Sequence, residues 1–464
     1  MAARPAISDT IAAIATAPGT GGIGIIRISG PESAAILHRL FTPYRPHSSL
    51  QSHKLYYGTI ADRSGVVLDE VLAVFMQAPH TYTREDVVEL HSHGSYLVLQ
   101  AILAEVLTAG ARVADGGEFT KRAFLSGRID LTRAEAVIEL LQARTSGGVR
   151  LAAHQLQGVL YEEIVSIRDA LVDILAVVEV AIDFPDDDVE ILQVDHLLST
   201  LREQVESPLA QLIGLADQGK IIREGVKVVI AGRPNVGKSS LLNGLLREER
   251  ALVTEIPGTT RDTIEELISV RGIPVHLVDT AGIRAHEDFV EELGIERARH
   301  KLQEADLVLF VVDAEVSLTK LDRELYKFLE DKKRIVVLNK LDIAGDAQAD
   351  IVGREFSSDV QVRIAAREGM GLDDLLDAIY QAIMDEGDGM NEQVSCAPNL
   401  RHKMILEKTL SACRQLLQTL HGGAPADLVA VDLQVALDYL GDIVGLTTPD
   451  DVLDALFSRF CIGK

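Results

Sequence analysis

Gly232-Arg233-Pro234-Asn235-Val236-Gly237-Lys238-Ser239 is the stretch on which the reading of this chain turns. It follows an apolar run, Lys227 to Ala231, with the composition of a buried strand, and it opens a helical pattern that continues through Leu246. Glycines let such a loop curl until its backbone N–H groups face phosphate oxygens. Lys238 then reaches the β- and γ-phosphates, and the Ser239 hydroxyl suits Mg²⁺. The helix N-terminus adds the positive end of its dipole. A Gly-rich turn without nucleotide is the alternative, and strand, spacing, Lys and Ser together argue against it. The expected phosphate cradle runs through Asn235, Val236, Gly237, Lys238, Ser239 and Ser240.

Working outward, the strand His276 to Val278 leads into Asp279-Thr280-Ala281-Gly282. A carboxylate at that strand end can hold a metal through water, and the Gly282 N–H can sense a γ-phosphate. Asn339-Lys340-Leu341-Asp342 closes a further strand, Ile335 to Leu338. Asp342 can accept hydrogen bonds from guanine N1 and N2, which adenine cannot offer, so GTP is favoured over ATP. Ala365-Ala366-Arg367 stands where Ser-Ala-Lys is the common pattern, and its backbone N–H groups are expected to reach guanine O6. Thr254-Glu255-Ile256-Pro257-Gly258-Thr259-Thr260-Arg261-Asp262 reads as a switch loop whose hydroxyls close on Mg²⁺ and γ-phosphate. The residue after Gly282 is Ile283, which cannot orient a water, so another group must. No Arg finger is assignable, and a cation or a second subunit could neutralise the developing charge instead.

The chain has 464 residues, 47% hydrophobic and 25% charged, enough for about three domains and neither disordered nor fibrous in composition. No apolar run approaches the ~20 residues that span a bilayer. Three cysteines make no disulfide framework, and the N-terminus lacks a secretory pattern, so a cytoplasmic location is expected. Cys461-Ile462-Gly463-Lys464 fits a prenylation box in its Cys alone. The net charge of −25 is spread along the chain, which disfavours a broad basic surface for nucleic acid.

Short β-rich runs (Ile23–Ile28, Val71–Phe75, Val87–Leu90) and one helical stretch make residues 1–120 an α+β domain. Residues 121–221 carry apolar positions at helical spacing, among them Leu160, Ile164, Ile167, Leu171 and Ile174. Residues 222–385 alternate strand and helix as a doubly wound α/β unit, and residues 386–464 return to helices. The economical architecture is one discontinuous α-helical domain with a Ras-like α/β P-loop domain inserted in it, though two separate helical domains also fit.

With these elements in place, the chain resembles the MnmE (TrmE) family of tRNA-modification GTPases over essentially its whole length. Outside the P-loop unit the resemblance rests on five blocks: residues 21–30 (GGIGIIRISG), 82–90 (YTREDVVEL), 117–125 (GEFTKRAFL), 181–185 (AIDFP) and 460–464 (FCIGK). It implies a homodimer whose N-terminal domain binds 5-formyltetrahydrofolate or 5,10-methylenetetrahydrofolate. It also implies an FAD-dependent partner, MnmG (GidA), in a heterotetramer or larger complex that adds an aminomethyl or carboxymethylaminomethyl group at C5 of the wobble uridine of certain tRNAs. By matching position, Arg27, Glu89, Arg128 and Lys464 would contact the folate, with Arg128 standing where Lys is frequent. The resemblance further implies potassium-stimulated GTP hydrolysis, with K⁺ on Asn235, Thr254, Ile256 and Thr259 and Mg²⁺ on Ser239 and Thr260. Glu291 would be the catalytic, water-orienting group, with Glu287, Asp288 and Glu292 as close competitors. Cys461 would lie near the modification chemistry.

Read alone, these residues are plainer. Arg27 and Glu89 fit a surface ion pair, Lys464 a frayed end, Glu291 a solvated helix face and Cys461 a structural thiol. His91 and His93 share a face if their segment is a strand, yet no third metal ligand is evident. Asp186-Asp187-Asp188 fits a helix cap or acidic turn. The runner-up function is a regulatory, ribosome-assembly type of RNA-associated switch GTPase without transfer chemistry. A third reading is a dimeric scaffold whose only reaction is GTP hydrolysis.

Overall fold

The computed structural model describes residues 9–45, 50–184, 193–249, 265–279, 302–384, 392–460 and 462–464. The switch loop Thr254 to Asp262, Thr280, Ala281, Gly282, Glu291, the Asp186–Asp188 triplet and Cys461 lie outside the described residues. The chain divides into two compact units, Met1–Ile138 with Asp438–Lys464, and Glu139–Leu437.

In the first unit, β1 (Ile11–Ile14), β2 (Gly21–Ser29), β3 (Phe41–Pro43), β4 (Lys54–Ala61), β5 (Val67–Met76), β6 (Val87–Gly94) and β7 (Arg112–Val113) form one sheet in the order β3-β4-β5-β6-β2-β1-β7. Every neighbouring pair is antiparallel except β1–β7. Side chains alternate between faces with period two. Ile26 and Ile28 of β2 lie opposite Leu90 and Val88 of β6, and these four pack with Leu99, Ile102 and Val106 of the helix Tyr96–Thr108. The residue between them, Arg27, is therefore paired with Glu89 on the opposite face. A smaller cluster of Ile11, Ala13, Ala114, Phe119 and Tyr82 gathers with them, with Ala13 directly across from Arg27.

A buried ion network fixes the start of this unit. Arg122, on the helix Glu118–Leu125, is only 1% exposed, and its guanidinium donates to Asp9 O (2.9 Å), Asp9 Oδ1 (2.9 Å), Glu85 Oε1 (3.1 Å) and Glu118 Oε1 (2.9 Å). Arg112 in turn donates to Glu118 and Asp9. Burial pushes the Glu118 carboxyl up, but hydrogen bonds from Arg112, the Asp115 amide and Arg122 outweigh it and hold the pKa below its ordinary value. The C-terminal helix Asp450–Phe457 packs Leu453 and Phe457 against Phe124, Leu131 and Ala134.

In the second unit the helices on either side of the α/β insertion pack together. Ser207–Glu224 lies against Leu400–His421, and Lys403 pairs with Asp217 at 2.7 Å. Arg223 ties the two chain crossings to one another, donating to Glu139 Oε2 (2.8 Å), Ala397 O (2.6 Å) and Pro398 O (3.1 Å). The insertion is a six-stranded sheet of β8 (Val226–Ala231), β9 (Glu265–Val270), β10 (Ile273–Asp279), β11 (Leu307–Asp313), β12 (Arg334–Asn339) and β13 (Val360–Arg363), in the order β13-β12-β11-β8-β10-β9. All pairs are parallel except β9–β10. Parallel strands covered on both faces must be apolar throughout. Val228, Ile230, Leu309, Val311, Ile335 and Val337 pack on one face with Leu241, Leu245, Leu375 and Leu376, whereas Val229, Val308, Phe310, Val312, Val336 and Leu338 pack on the other with Val352 and Phe356.

Among the described residues no helix is long and apolar enough to cross a membrane. Arg122 is buried against Glu85 and Glu118, 21% and 10% exposed, so Arg122→Ala removes the guanidinium from Glu85 and leaves Arg112 alone on Glu118. Urea unfolding should show a loss of about 3–5 kcal/mol, against at most about 1 kcal/mol for Arg363→Ala, whose carboxylate partners are exposed.

Candidate functional site

The chain passes from β10 on one side of β8 to β11 on the other, so β8 is the point at which the strand order reverses. Crevices at the carboxyl ends of parallel strands at such a point are where ligands bind. Parallel alignment brings the loop after β8, the end of β10 at Asp279, Asp313 of β11, the Asn339–Asp342 turn and the Ala365–Arg367 turn to one edge.

Two glycines in the cradle are dictated by close approach. Gly232 has φ +150°, and a Cβ there would stand 2.4 Å from Val311 O; Gly237 has φ +99°, and a Cβ would stand 2.2 Å from Asn339 Nδ2. Asn235 sits at φ 65°, in the left-handed region that Asn tolerates, and is exposed. Lys238 is 8% exposed, and its ammonium donates at 2.9 Å to the carbonyls of both Gly232 and Arg233, which holds the curl of the loop. Ser239 is exposed on the first turn of the helix Lys238–Glu249, where the unpaired amides and the dipole favour anions. The loop is a curled backbone, and at both glycines the space a side chain would need is taken by Val311 O and Asn339 Nδ2.

Asn339 is 2% exposed and joins three segments. Its Nδ2 donates to Val236 O (2.8 Å), its Oδ1 accepts from the Ala366 amide (3.0 Å) and its carbonyl accepts from the Ala314 amide (2.9 Å). Lys340 takes φ 66° and turns the chain into the helix Leu341–Gly353, which presents Asp342, exposed, in its first turn. The expectation for Ala365 to Arg367 needs correcting in detail. The Ala365 amide donates to Met370 O (3.0 Å) and the Ala366 amide to Asn339 Oδ1 (3.0 Å), so two of the three donors expected to face guanine bond within the protein. The sequence reading also passed over Asp313, which closes an apolar strand as Asp279 does and is 4% exposed. Its place at a strand end was the available signal.

In the first unit, Arg27, Glu89, Arg128 and Lys464 come to one corner. Arg27 Nε donates to Glu89 Oε1 (2.9 Å), with the two side chains 20% and 17% exposed. The Tyr82 ring lies 5.9 Å from Arg27 Cζ and 4.8 Å from Arg128 Cζ, and Arg128 also donates to Tyr82 O (3.2 Å). The C-terminal residues are docked rather than frayed: Ile462 bridges to Gly116, the Phe119 amide donates to Lys464 O (3.2 Å) and Arg27 Nη1 reaches Gly463 O (3.5 Å). Tyr82 and Phe119, both flanking Arg27, were not singled out from sequence, because an aromatic in a Thr-rich loop or a short helix carries no period that marks it. His91 and His93 are indeed on one strand, but they take different carboxylates: His91 pairs with Glu89 (3.3 Å) and His93 with Asp69 (2.8 Å). The Asp69 hydrogen bond holds the His93 pKa above its ordinary value. No cluster able to hold a metal occurs among the described residues. Cys396 and Cys413 are buried thiols outside any disulfide, and burial pushes Cys413 up to about 12, against the thiolate form.

Gly237→Ala forces a β-carbon onto Asn339 and strains the backbone. Nucleotide affinity, read by displacement of a fluorescent GDP, should fall at least about tenfold. Gly214→Ala, in a helix with open space around it, should leave affinity unchanged and raise stability by up to about 1 kcal/mol.

A family model described as the GTP-binding protein TrmE N-terminus matches residues 10–128, and one described as the MnmE helical domain matches residues 131–461. The tRNA modification GTPase MnmE of Desulfotalea psychrophila is 51% identical over 468 residues, covering 100% of both chains. Those of Geotalea uraniireducens and Geobacter sulfurreducens are 45% and 44% identical, each covering 99% of this chain and 100% of its own. With a phosphate cradle inserted between helical segments and an N-terminal domain matched in its own right, the chain belongs to the family of tRNA modification GTPases MnmE.

Proposed function

We propose that this chain hydrolyses GTP to drive a tRNA modification in which a one-carbon unit from a tetrahydrofolate reaches C5 of the wobble uridine. In this reading it acts as a homodimer together with an FAD-dependent partner of the MnmG (GidA) type, in the cytoplasm. The observation that carries the reading is that one chain holds both a phosphate cradle and a separate corner suited to a folate.

At the cradle, Lys238 exchanges the Gly232 and Arg233 carbonyls for β- and γ-phosphate oxygens, and the amides of the loop and first helical turn take the rest. Asp342 accepts from guanine N1 and N2, with the Arg367 amide turned to O6, which separates GTP from ATP. Ser239, exposed on the first turn, and Thr260 are the residues assigned to Mg²⁺, and Asp279 closes β10, the strand paired with β8. Asn235, with Thr254, Ile256 and Thr259, is assigned to K⁺; the exposed left-handed turn at Asn235 leaves its amide side chain at the solvent edge of the cradle. A bound cation supplies positive charge that lowers the barrier to phosphoryl transfer. Glu291 is assigned to orient the attacking water, the task that Ile283 cannot perform.

At the N-terminal corner, Glu89 offers a carboxylate to the donor edge of a pterin, while Arg27, Arg128 and Lys464 suit the anionic glutamate of the folate. The half-buried Tyr82 ring, beside Arg27 and Arg128, gives the ring system an apolar face to lie on, while the buried Phe119 ring backs Arg27 from the core. Bound folate of the formyl or methylene form supplies the carbon. Cys461, which follows Phe460 in the sequence, is assigned to the modification chemistry. The chain carries a net charge of −25, so tRNA contact falls to a local patch or to the partner.

The test is mass spectrometry of tRNA nucleosides from cells lacking the chain. C5-aminomethyl-type wobble uridines should disappear, return with the parent chain and fail to return with either Asp342→Ala or Glu89→Ala. An unchanged profile in the deleted cells favours the switch GTPase reading. Loss that Glu89→Ala restores removes the folate corner from the account.

A further inference from the structure

We propose that Asp313, outside the nucleotide-binding motifs, is a positioning residue that holds the base-recognition turn against the phosphate loop and so sets the strength of guanine selection. The proposal rests on the reading of Asp342 as the guanine acceptor. Asp313 ends β11, between the strand that feeds the phosphate loop and the strand that feeds the Asn339–Asp342 turn. One of its oxygens, Oδ2, faces two cations: Lys340 Nζ at 2.5 Å and Arg233 Nη2 at 3.6 Å. The other, Oδ1, accepts from the Glu315 amide at 3.0 Å, which fixes the carboxylate plane. Arg233 belongs to the phosphate loop, and Lys340 precedes Asp342 by two residues in a left-handed turn.

Lys340 holds that strained turn without a glycine, and its ammonium is anchored on Asp313. A charge-assisted bond between groups 6% and 29% exposed is of the strong kind. The Nε of Arg233 meets a second carboxylate, Asp322 (Oδ2 at 3.4 Å), which is 1% exposed and closes a capping box with Thr319. Asp322 thus steadies Arg233 without touching Lys340. The two carboxylates separate the roles: Asp313 spans both loops and Asp322 serves the phosphate loop alone.

The purified full-length chain is assayed for GTP and ITP turnover, since ITP lacks the 2-amino group that Asp342 would accept from. In Asp313→Asn, KM for GTP should rise about tenfold, the loss of one charge-assisted hydrogen bond, with kcat within about twofold of the parent. The ratio of KM for ITP to KM for GTP should shrink toward that of Asp342→Ala. Asp322→Asn should leave the ratio at the parent value. Asp313→Glu, which keeps the charge on a longer arm, should fall between parent and Asp313→Asn and serves in its place if that variant does not fold. Parent-like KM values in the Asp313 variants overturn the proposal, as does an equal loss of discrimination in Asp322→Asn. A parent that does not separate GTP from ITP, with Asp342→Ala no different, overturns the base-recognition reading itself.

Discussion

The nucleotide site depends on a single buried side chain, Asn339, which joins Val236 of the phosphate loop to the Ala366 turn. Neither loop has regular structure to hold it, and each hydrogen bond contributes only about 1 kcal/mol net, yet leaving the Val236 carbonyl or Ala366 amide buried and unpaired costs about 1–3 kcal/mol each. The amide group can satisfy both because it carries a donor and an acceptor on one plane. Its position also explains Gly237, since the space a side chain would need there is filled by Asn339 Nδ2. The phosphate loop and the Ala366 turn thus share one clamp, with Asp313 and its two cations as a second, charged one.

Both units make their sites by strand geometry. In the α/β part, parallel pairing places every loop at one edge, and apolar cores on both faces hold the edge rigid. In the N-terminal unit, antiparallel pairing does the work by parity. Ile26 and Ile28 commit one face of β2 to the core, so Arg27 must emerge on the other, opposite Glu89. The buried Arg122 network then fixes the helix that carries Phe119, against which the C-terminal Lys464 docks.

Much of this was legible in the amino-acid order because the relevant signals are local. The strand, the Gly-rich loop and the Lys-Ser pair lie within fifteen residues, and the apolar runs of a parallel sheet are short and continuous. The strands read as His276–Val278 and Ile335–Leu338 extend to Ile273–Asp279 and Arg334–Asn339, because the ladder continues through residues 273–275 and Asp279 in the first and through Arg334 and Asn339 in the second. The antiparallel edge strand β9 carries two glutamates at its start and gave no apolar run to read. What the sequence could not display is pairing across distance. Arg27 with Glu89 are 62 residues apart, and Tyr82 between Arg27 and Arg128 has meaning only once the sheet is folded. The use of the Ala366 amide by Asn339 was likewise invisible, because a backbone donor has no letter of its own.

The central claim is that loops clamped at the edge of the parallel sheet make a site for a guanine nucleotide. Competitive displacement of a fluorescent GDP by GTP and by ATP, in the parent and in Asn339→Ala, tests it most directly. The account predicts displacement by GTP at concentrations far below those needed for ATP in the parent, and an affinity at least about tenfold weaker when both partners of Asn339 lose their hydrogen bonds. Equal displacement by the two nucleotides, or undiminished affinity in Asn339→Ala, would contradict it.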